Sequence, residues 1–555
     1  MKKMKRITAI LLVLVICIAI SACGGNQAAT DSGGVAPSGG VSPSGGAAPS
    51  GGSAPASQTP PPIITQAVPE PAPVNARFAD NVSVIITTQI SAVNLYSPGG
   101  SNAACQYVYY MIYDRLLEYL GEGEYGPALA KSYETSDYKT FTFKLRDDVL
   151  FTNGDKFTAE DVINTIQLGK DTQGVLANDY WRAVDTATVL DEYTVQIVLS
   201  DVSVDFLYTI TMPSAGIVDK KAIEADEETG MWVGTGLFTI ETLAPADYIT
   251  LVRNDNYWGE PAVSPSVTFR YVSDVTARSI MLQNGEITMC LEVAPEDRFF
   301  FMDNDDFFVL PCVNNNIWYI SFNMTDSITG DYNFRRAVAH AINREEMMIA
   351  SMGDQGIPEE GGTIYGYATE FRNNDIPLLP YDLDLAKEYL AKSGYKGEEI
   401  EIAFSVELIS NAVEMLVYQL SQIGIPAKIN KMDSAALSNY TFGAVNQSQL
   451  VVSTCSPALT PINYSSIVGG GGGLNRAAYN NPTVNEMLDR APSIIDVKER
   501  EAVYYQIQEI VSEELPYLST FYRVSYFICA KGLGGMVVHN DLYHDFRYVF
   551  QTLEG

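Results

Sequence analysis

PALAKSYETSDYKTFTFKLRDDVLFTNGDKFTAED, residues 127–161, compresses strand, turn, strand, turn and helix into one span. Phe141, Phe143 and Leu145 alternate with Thr142, Lys144 and Arg146, the period of a strand with one buried face. Ser136, Asp137 and Tyr138 supply the preceding turn. Asn153-Gly154-Asp155 supplies the next, because Asn and Gly tolerate positive φ. Thr158 with Asp161 three residues on predicts a capped helix start over Ala159–Leu168.

Toward the amino end lies an address. Lys2, Lys3, Lys5 and Arg6 precede an apolar run, Ile7–Ile20, too short to span a bilayer comfortably. Ile20-Ser21-Ala22-Cys23 is similar to a bacterial lipobox, which implies cleavage before Cys23 and lipid on its sulfur. Residues 1–22 are then a signal peptide. Residues 23–76 carry the lipidated Cys and a Gly/Ser/Pro/Ala tether with PSGG repeats that buries no core. About 50 such residues reach roughly 40 Å.

Toward the carboxyl end, strand and helix patterns alternate. Val195, Ile197 and Leu199 repeat the period of two. Tyr381–Tyr395 reads as a helix capped by Asp382, Ile400–Val406 as a strand and Ala412–Ile423 as an amphipathic helix. The expected class is α/β. At 555 residues the chain exceeds one ordinary core, so at least two lobes are expected. A net charge of -32 disfavours nucleic acid. Three His disfavour imidazole chemistry and a His-rich metal site. The body shows neither G-x-S-x-G nor H-E-x-x-H, so no catalytic residue, metal ligand or cofactor is expected. His539, Asp541, His544 and Asp545 lie close in sequence, and an exposed polar loop is their default reading.

The opening stretch resembles the signature of the family 5 extracellular solute-binding proteins, the oligopeptide-, dipeptide- and nickel-binding components of ABC importers. Gly234-Thr235-Gly236-Leu237-Phe238 resembles the family's GTGP(F/Y), with Leu237 for Pro. Arg253–Gly259 resembles its RN-x-x-YWG, in which Trp258 reads as structural. Asn316–Asn323, Phe334–Arg344, Tyr381–Tyr395 and Arg500–Tyr522 match further segments, so the likeness covers about residues 78–550. Arg335 is expected to salt-bridge inside the fold and His340 to be structural.

The resemblance implies a two-lobed periplasmic-binding-protein-like fold of class II type, with an extra small subdomain on the first lobe. Lobe I takes 77–117, 211–315 and 523–555, the small subdomain 118–210 and lobe II 316–522. It also implies a monomeric, non-enzymatic capture protein, held by lipid on the outer face of the membrane, that closes on a small solute and delivers it to permease subunits. Oligopeptide ranks first among solutes. A sugar oligomer, a metal chelate, or a signal receptor not coupled to import are the alternatives. By position in relatives, the expected solute contacts are Asn102, Tyr180, Trp181, Trp318, Thr454, Cys455 and Tyr464. Among Cys105, Cys290, Cys312, Cys455 and Cys529, the pair Cys312 and Cys455 is the first disulfide to test, since one relative carries a disulfide in this area.

One departure matters for the solute. Peptide-binding relatives carry W-x-(A/G)-D-Y-x-D-P where this chain has Val452–Tyr464, VSTCSPALTPINY. That stretch holds no acid to meet an α-ammonium group. Either another acid serves or the solute is not a free-amine peptide. Gly469–Gly473, five glycines with no Gly-Lys-Ser/Thr following, is read as a mobile loop rather than a phosphate cradle.

Overall fold

The computed structural model describes residues 72, 73, 76–121, 123–293, 297–441, 447–539 and 544–553. Cys23 and Asp541 lie outside them. Among the described residues an 11-stranded sheet runs through both lobes. Its lobe II end is built from Ala427–Lys431, Ile400–Phe404 and Leu450–Cys455, and its lobe I end from Met289–Cys290, Asn81–Ile86, Ser266–Tyr271, Tyr248–Arg253 and Phe238–Ala244. Between them lie two long antiparallel strands, Phe307–Phe322 and Tyr517–Ala530, that belong to both lobes. Each lobe contains parallel pairs bridged by helices, as the alternating sequence pattern requires.

Alternation along the crossing strand sorts side chains onto two faces. Trp318, Ile320 and Phe322 pack with Phe334, Ile402 and Leu416 on one side of lobe II. Ile317 and Tyr319 pack with Tyr464, Ile507 and Tyr517 on the other. Lobe I does likewise, with Val82, Val84 and Phe269 on one face and Ile85, Leu282 and Ile528 on the other. Leu237 takes the family's proline position inside the first of these cores. Gly234 and Gly236 abut the end of the helix Ala103–Ile112, where a Cβ on either would overlap the Ile112 carbonyl group.

The small subdomain is a four-stranded antiparallel sheet covered by the helix Ala159–Asp171. Phe141, Phe143 and Leu145 point into its core with Val195, Ile197 and Leu199, as their spacing predicts. Both turns form. Asp137 accepts from the N–H groups of Lys139 and Thr140 (2.9 and 2.8 Å), and Gly154 takes φ +93°. The Asp161 carboxylate accepts from the N–H and the hydroxyl of Thr158 (2.8 and 3.0 Å).

Two expectations are corrected. Among the described residues none of Cys105, Cys290, Cys312, Cys455 and Cys529 is in a disulfide, and all five are buried. Cys312 stands opposite Ser525 in the ladder, whereas Cys455 stands opposite Ile317, five positions further along the crossing strand. At about 3.3 Å per residue that offset exceeds disulfide reach. Among the described residues Arg335 forms no salt bridge. Its guanidinium donates to the carbonyls of Glu514 (3.0 and 2.8 Å), Thr329 (3.1 Å) and Gly330 (2.7 Å), because the end of the helix before Leu515 presents oxygens where a carboxylate was expected. His340 is structural as read: Nδ1 lies 2.8 Å from the Pro380 carbonyl and the ring stacks on Tyr389.

Candidate functional site

The two crossing strands lose register between Val313 and Ile317. Asn314, Asn315 and Asn316 stand there against the single residue Arg523, and each side chain makes its own tie. Asn314 donates to the Ser525 hydroxyl on the second crossing strand (2.9 Å). Asn315, fully buried, accepts from the Ala368 N–H (3.0 Å) and donates to Thr369 Oγ1 (3.0 Å) and to the Pro457 carbonyl (2.7 Å). Asn316 accepts from the Thr454 hydroxyl. The bulge thus clamps segment 366–372 and the loop after Leu450–Cys455 to the point where the lobes join. Thr369 reinforces the clamp through the Ala458 carbonyl (2.9 Å), and the Glu370 N–H through the Leu459 carbonyl (2.7 Å).

The loop without an acid therefore forms a wall by itself. Asn463 Oδ1 accepts from the Ala458 N–H (3.2 Å), and its Nδ2 donates to the Ser456 carbonyl (3.1 Å). Three hydroxyls in this wall stand apart. Tyr365, Tyr464 and Thr460 bury their oxygens without a hydrogen-bond partner among the described residues. The Tyr365 and Tyr464 rings touch, with centroids 3.9 Å apart. An unmet buried hydroxyl costs about 1–3 kcal/mol. Burial also drives both phenol pKa values far up, so they stay protonated as donors.

In lobe I, the loop 94–102 leads into the helix Ala103–Ile112, and the His539 carbonyl accepts from the Cys312 thiol of the crossing strand (3.7 Å). Asn102 caps the helix Ala103–Ile112, accepting from the Cys105 N–H (3.0 Å) and donating to the Gly99 carbonyl (2.9 Å). Gly100 is required because a Cβ there would overlap the Asn94 carbonyl and the Tyr109 hydroxyl. His544 stacks on Tyr107 and meets Phe527 edge-on. Its Nδ1 accepts from the His539 N–H (3.2 Å), and burial pushes its pKa down to about 3, so the ring is neutral. Asp545 pairs with Arg547. Among the described residues no group of His, Cys, Asp and Glu could hold a metal.

The expected contacts are dispersed by this geometry. Thr454 lies at the bulge. Cys455 and Tyr464 belong to the lobe II core beside it, and burial keeps the Cys455 thiol protonated. Trp318 is buried on the opposite face of lobe II, stacked on Phe521. Trp181 is wholly buried in the small subdomain, where a Cβ on Gly169 would strike its indole, and Tyr180 packs at the edge of the same core. The sequence reading missed Asn315, Thr369 and Tyr365. The run Asn314–Asn316 inside a strand pattern was the available signal, since three amides interrupt an otherwise apolar alternation. Three of the glycines 469–473 have a packing reason at the end of the helix Tyr464–Val468: a Cβ on Gly469 would overlap the Ser465 carbonyl, on Gly470 the Asn480 side chain and on Gly472 the Ser466 carbonyl.

Comparison with known proteins agrees with this architecture. The bacterial extracellular solute-binding proteins, family 5 Middle, match residues 124–459, more than half of the chain. The glutathione-binding protein GsiB of Escherichia coli O6:K15:H31 is 25% identical over 488 residues, 83% of this chain and 93% of its own. The oligopeptide-binding protein AppA of Bacillus subtilis, solved with a nonapeptide, superposes with a TM-score of 0.71 at 22% identity, covering 86% of this chain and 100% of that one. NikZ of Campylobacter jejuni, solved with Ni(L-His), superposes with a TM-score of 0.69 at 18% identity, covering 82% and 94%. These two likenesses establish the two-lobed fold. No helix of the described residues is long and apolar enough to cross a membrane.

Proposed function

This chain belongs to the bacterial extracellular solute-binding proteins of family 5, and from that premise we propose that it encloses a small solute, an oligopeptide first, between its lobes and delivers it to the permease of an ABC importer. Two lobes joined by two continuous strands suit a hinge that closes on a guest. The observation that supports the reading is the pair of continuous strands, Phe307–Phe322 and Tyr517–Ala530, that join the lobes at a bulge where Asn315 clamps the loop after Leu450–Cys455. Thr454 and Tyr180 are retained as solute contacts. Cys455 and Tyr464 back the wall from the lobe II core, whereas Asn102, Trp181 and Trp318 hold their own elements together.

Nothing in the loop 452–464 is charged. A free ammonium buried against it would go uncompensated, which is costly. The loop therefore suits a solute whose amine is blocked or lies elsewhere in the cleft. Binding, with no turnover, is the whole reaction, and a peptide-hydrolysis assay showing a true kcat would refute this. Mass spectrometry of material released from freshly purified, denatured protein is the direct test, followed by a thermal-shift screen of peptides, oligosaccharides and metal chelates. If neither finds a stabilising small molecule, the proposal fails.

Anchoring belongs to the same reading. Lipid on Cys23 would hold the monomer at the outer face of the membrane. Cys23→Ser is expected to release it into the medium, as read by fractionation; retention on the membrane would rule the lipid anchor out.

A further inference from the structure

The small subdomain also touches lobe II, along a seam that the solute-facing wall does not include. The Val204 N–H donates to the Pro492 carbonyl (3.0 Å). Next to it stands Asp205, at the N-cap position of the short helix Phe206–Thr209 without capping it. Facing it from lobe II are Glu370 and Arg500, together with the phenols of Tyr365 and Tyr504; Tyr125 faces it from the strand Glu124–Pro127. Glu501 stands behind Glu370. Among the described residues neither carboxylate reaches a cation within 4 Å. Arg500 instead donates to the Ile494 carbonyl (2.7 Å) and lies over the Phe371 ring. Asp205 keeps some accessible surface, yet protein encloses it on nearly every side.

Two carboxylates thus share one guanidinium that is committed elsewhere, at a junction between two bodies. We propose that this seam is a proton-operated latch: Asp205 takes up a proton as the small subdomain and lobe II come together, so acid favours the closed form. With the bodies apart, Asp205 is solvated and ionised at no cost. With them together, burial and Glu370 both penalise its charge, and Arg500 offsets this only in part. In the closed seam its pKa is accordingly pushed up to about 6, by burial first. Between the ordinary Asp value and about 6 the closed form binds more protons than the open one. Closing is therefore favoured as pH falls through that window and opposed as pH rises through it.

The latch uses the closing motion of the proposed function but not the identity of the solute, so it is tested without one. Dyes on Glu192→Cys in the small subdomain and Glu388→Cys in lobe II would report the gap by energy transfer in the full chain. From about pH 7.5 to about pH 5 the closed-to-open ratio is expected to rise about tenfold. Asp205→Asn should remove this dependence and raise the ratio about a hundredfold at about pH 7.5. Arg500→Gln should move the midpoint upward, which a merely structural role would not do, and it serves if the Asn variant fails to fold. Opening in acid, opening by Asp205→Asn, or an unmoved ratio would each overturn the latch. None of these outcomes bears on solute capture, which the ligand screen tests separately.

Discussion

The small subdomain has two seams, and they treat charge in opposite ways. Toward lobe I, Asp114 is buried and fully met. It accepts from Trp258 Nε1 (2.8 Å), from the Thr235 hydroxyl (3.0 Å) and from the Tyr257 hydroxyl (3.2 Å). Close by, Arg547 pairs with both Glu118 and Asp545, and Arg115 with Glu118 at 2.9 Å. Toward lobe II, Asp205, Glu370 and Arg500 face one another unpaired. A buried charge with every partner in place holds one geometry and is strongly missed when broken. A charge left wanting marks a surface suited to coming apart. The family's Tyr-Trp-Gly motif thus serves the fixed seam, and no motif serves the other.

The comparison breaks most visibly at Arg547. Arg547→Ala would leave Asp545 buried without its cation and Glu118 with Arg115 alone, and a loss of about 3–5 kcal/mol is expected in denaturant unfolding. A loss under about 1 kcal/mol would mean that the fixed seam is not held by its charges. Acid should act next. His544 has its folded-state pKa depressed to about 3. The unfolded chain binds more protons between that value and about 6.5, so stability is intact above about 6.5 and is lost as pH falls. At about pH 4.5 the loss approaches roughly 2–3 kcal/mol, and His544→Gln should flatten the profile. The packing around His544 therefore weakens in acid while the lobe II seam tightens. An unchanged profile in the Gln variant would remove this distinction.

Smaller effects sharpen the contrast. Trp258→Phe keeps the ring but takes one donor from Asp114, at an expected cost of about 1–3 kcal/mol by calorimetry. Asp205→Asn is expected to stay within about 1 kcal/mol of the parent at neutral pH, or to exceed it, because it removes a charge that Arg500 answers only in part. A loss as large as that of Trp258→Phe would place the two seams in one class.

Much of this was legible where interactions are local. Phe141, Phe143 and Leu145 announce a strand because the side-chain period is two, and Thr158 with Asp161 announces a helix start because the cap is three residues long. Asp382 caps its helix as read, accepting from the N–H groups of Asp384 and Leu385. What escaped depends on register or distance. Cys312 and Cys455 look like partners until the ladder sets them five positions apart. Arg335 looks like half of an ion pair until a helix end supplies carbonyls. Trp181 had the chemistry of a binding aromatic, but packing against Gly169 made it core. Asp205, Glu370 and Arg500 carry no shared pattern, since only the folded chain brings them together.

The pairing Met289↔Cys529 has a consequence for how the molecule is made. The short strand Met289–Cys290 lies between the opening strand Asn81–Ile86 and the last part of Tyr517–Ala530. Lobe I therefore cannot finish its sheet until nearly the whole polypeptide is present. A chain emerging amino end first keeps that half incomplete through almost all of its synthesis and passage. Contacts of such long sequence separation are slow to form. Assembly of this protein is a late, whole-chain event, and a truncation before Tyr517 would forfeit both lobes at once.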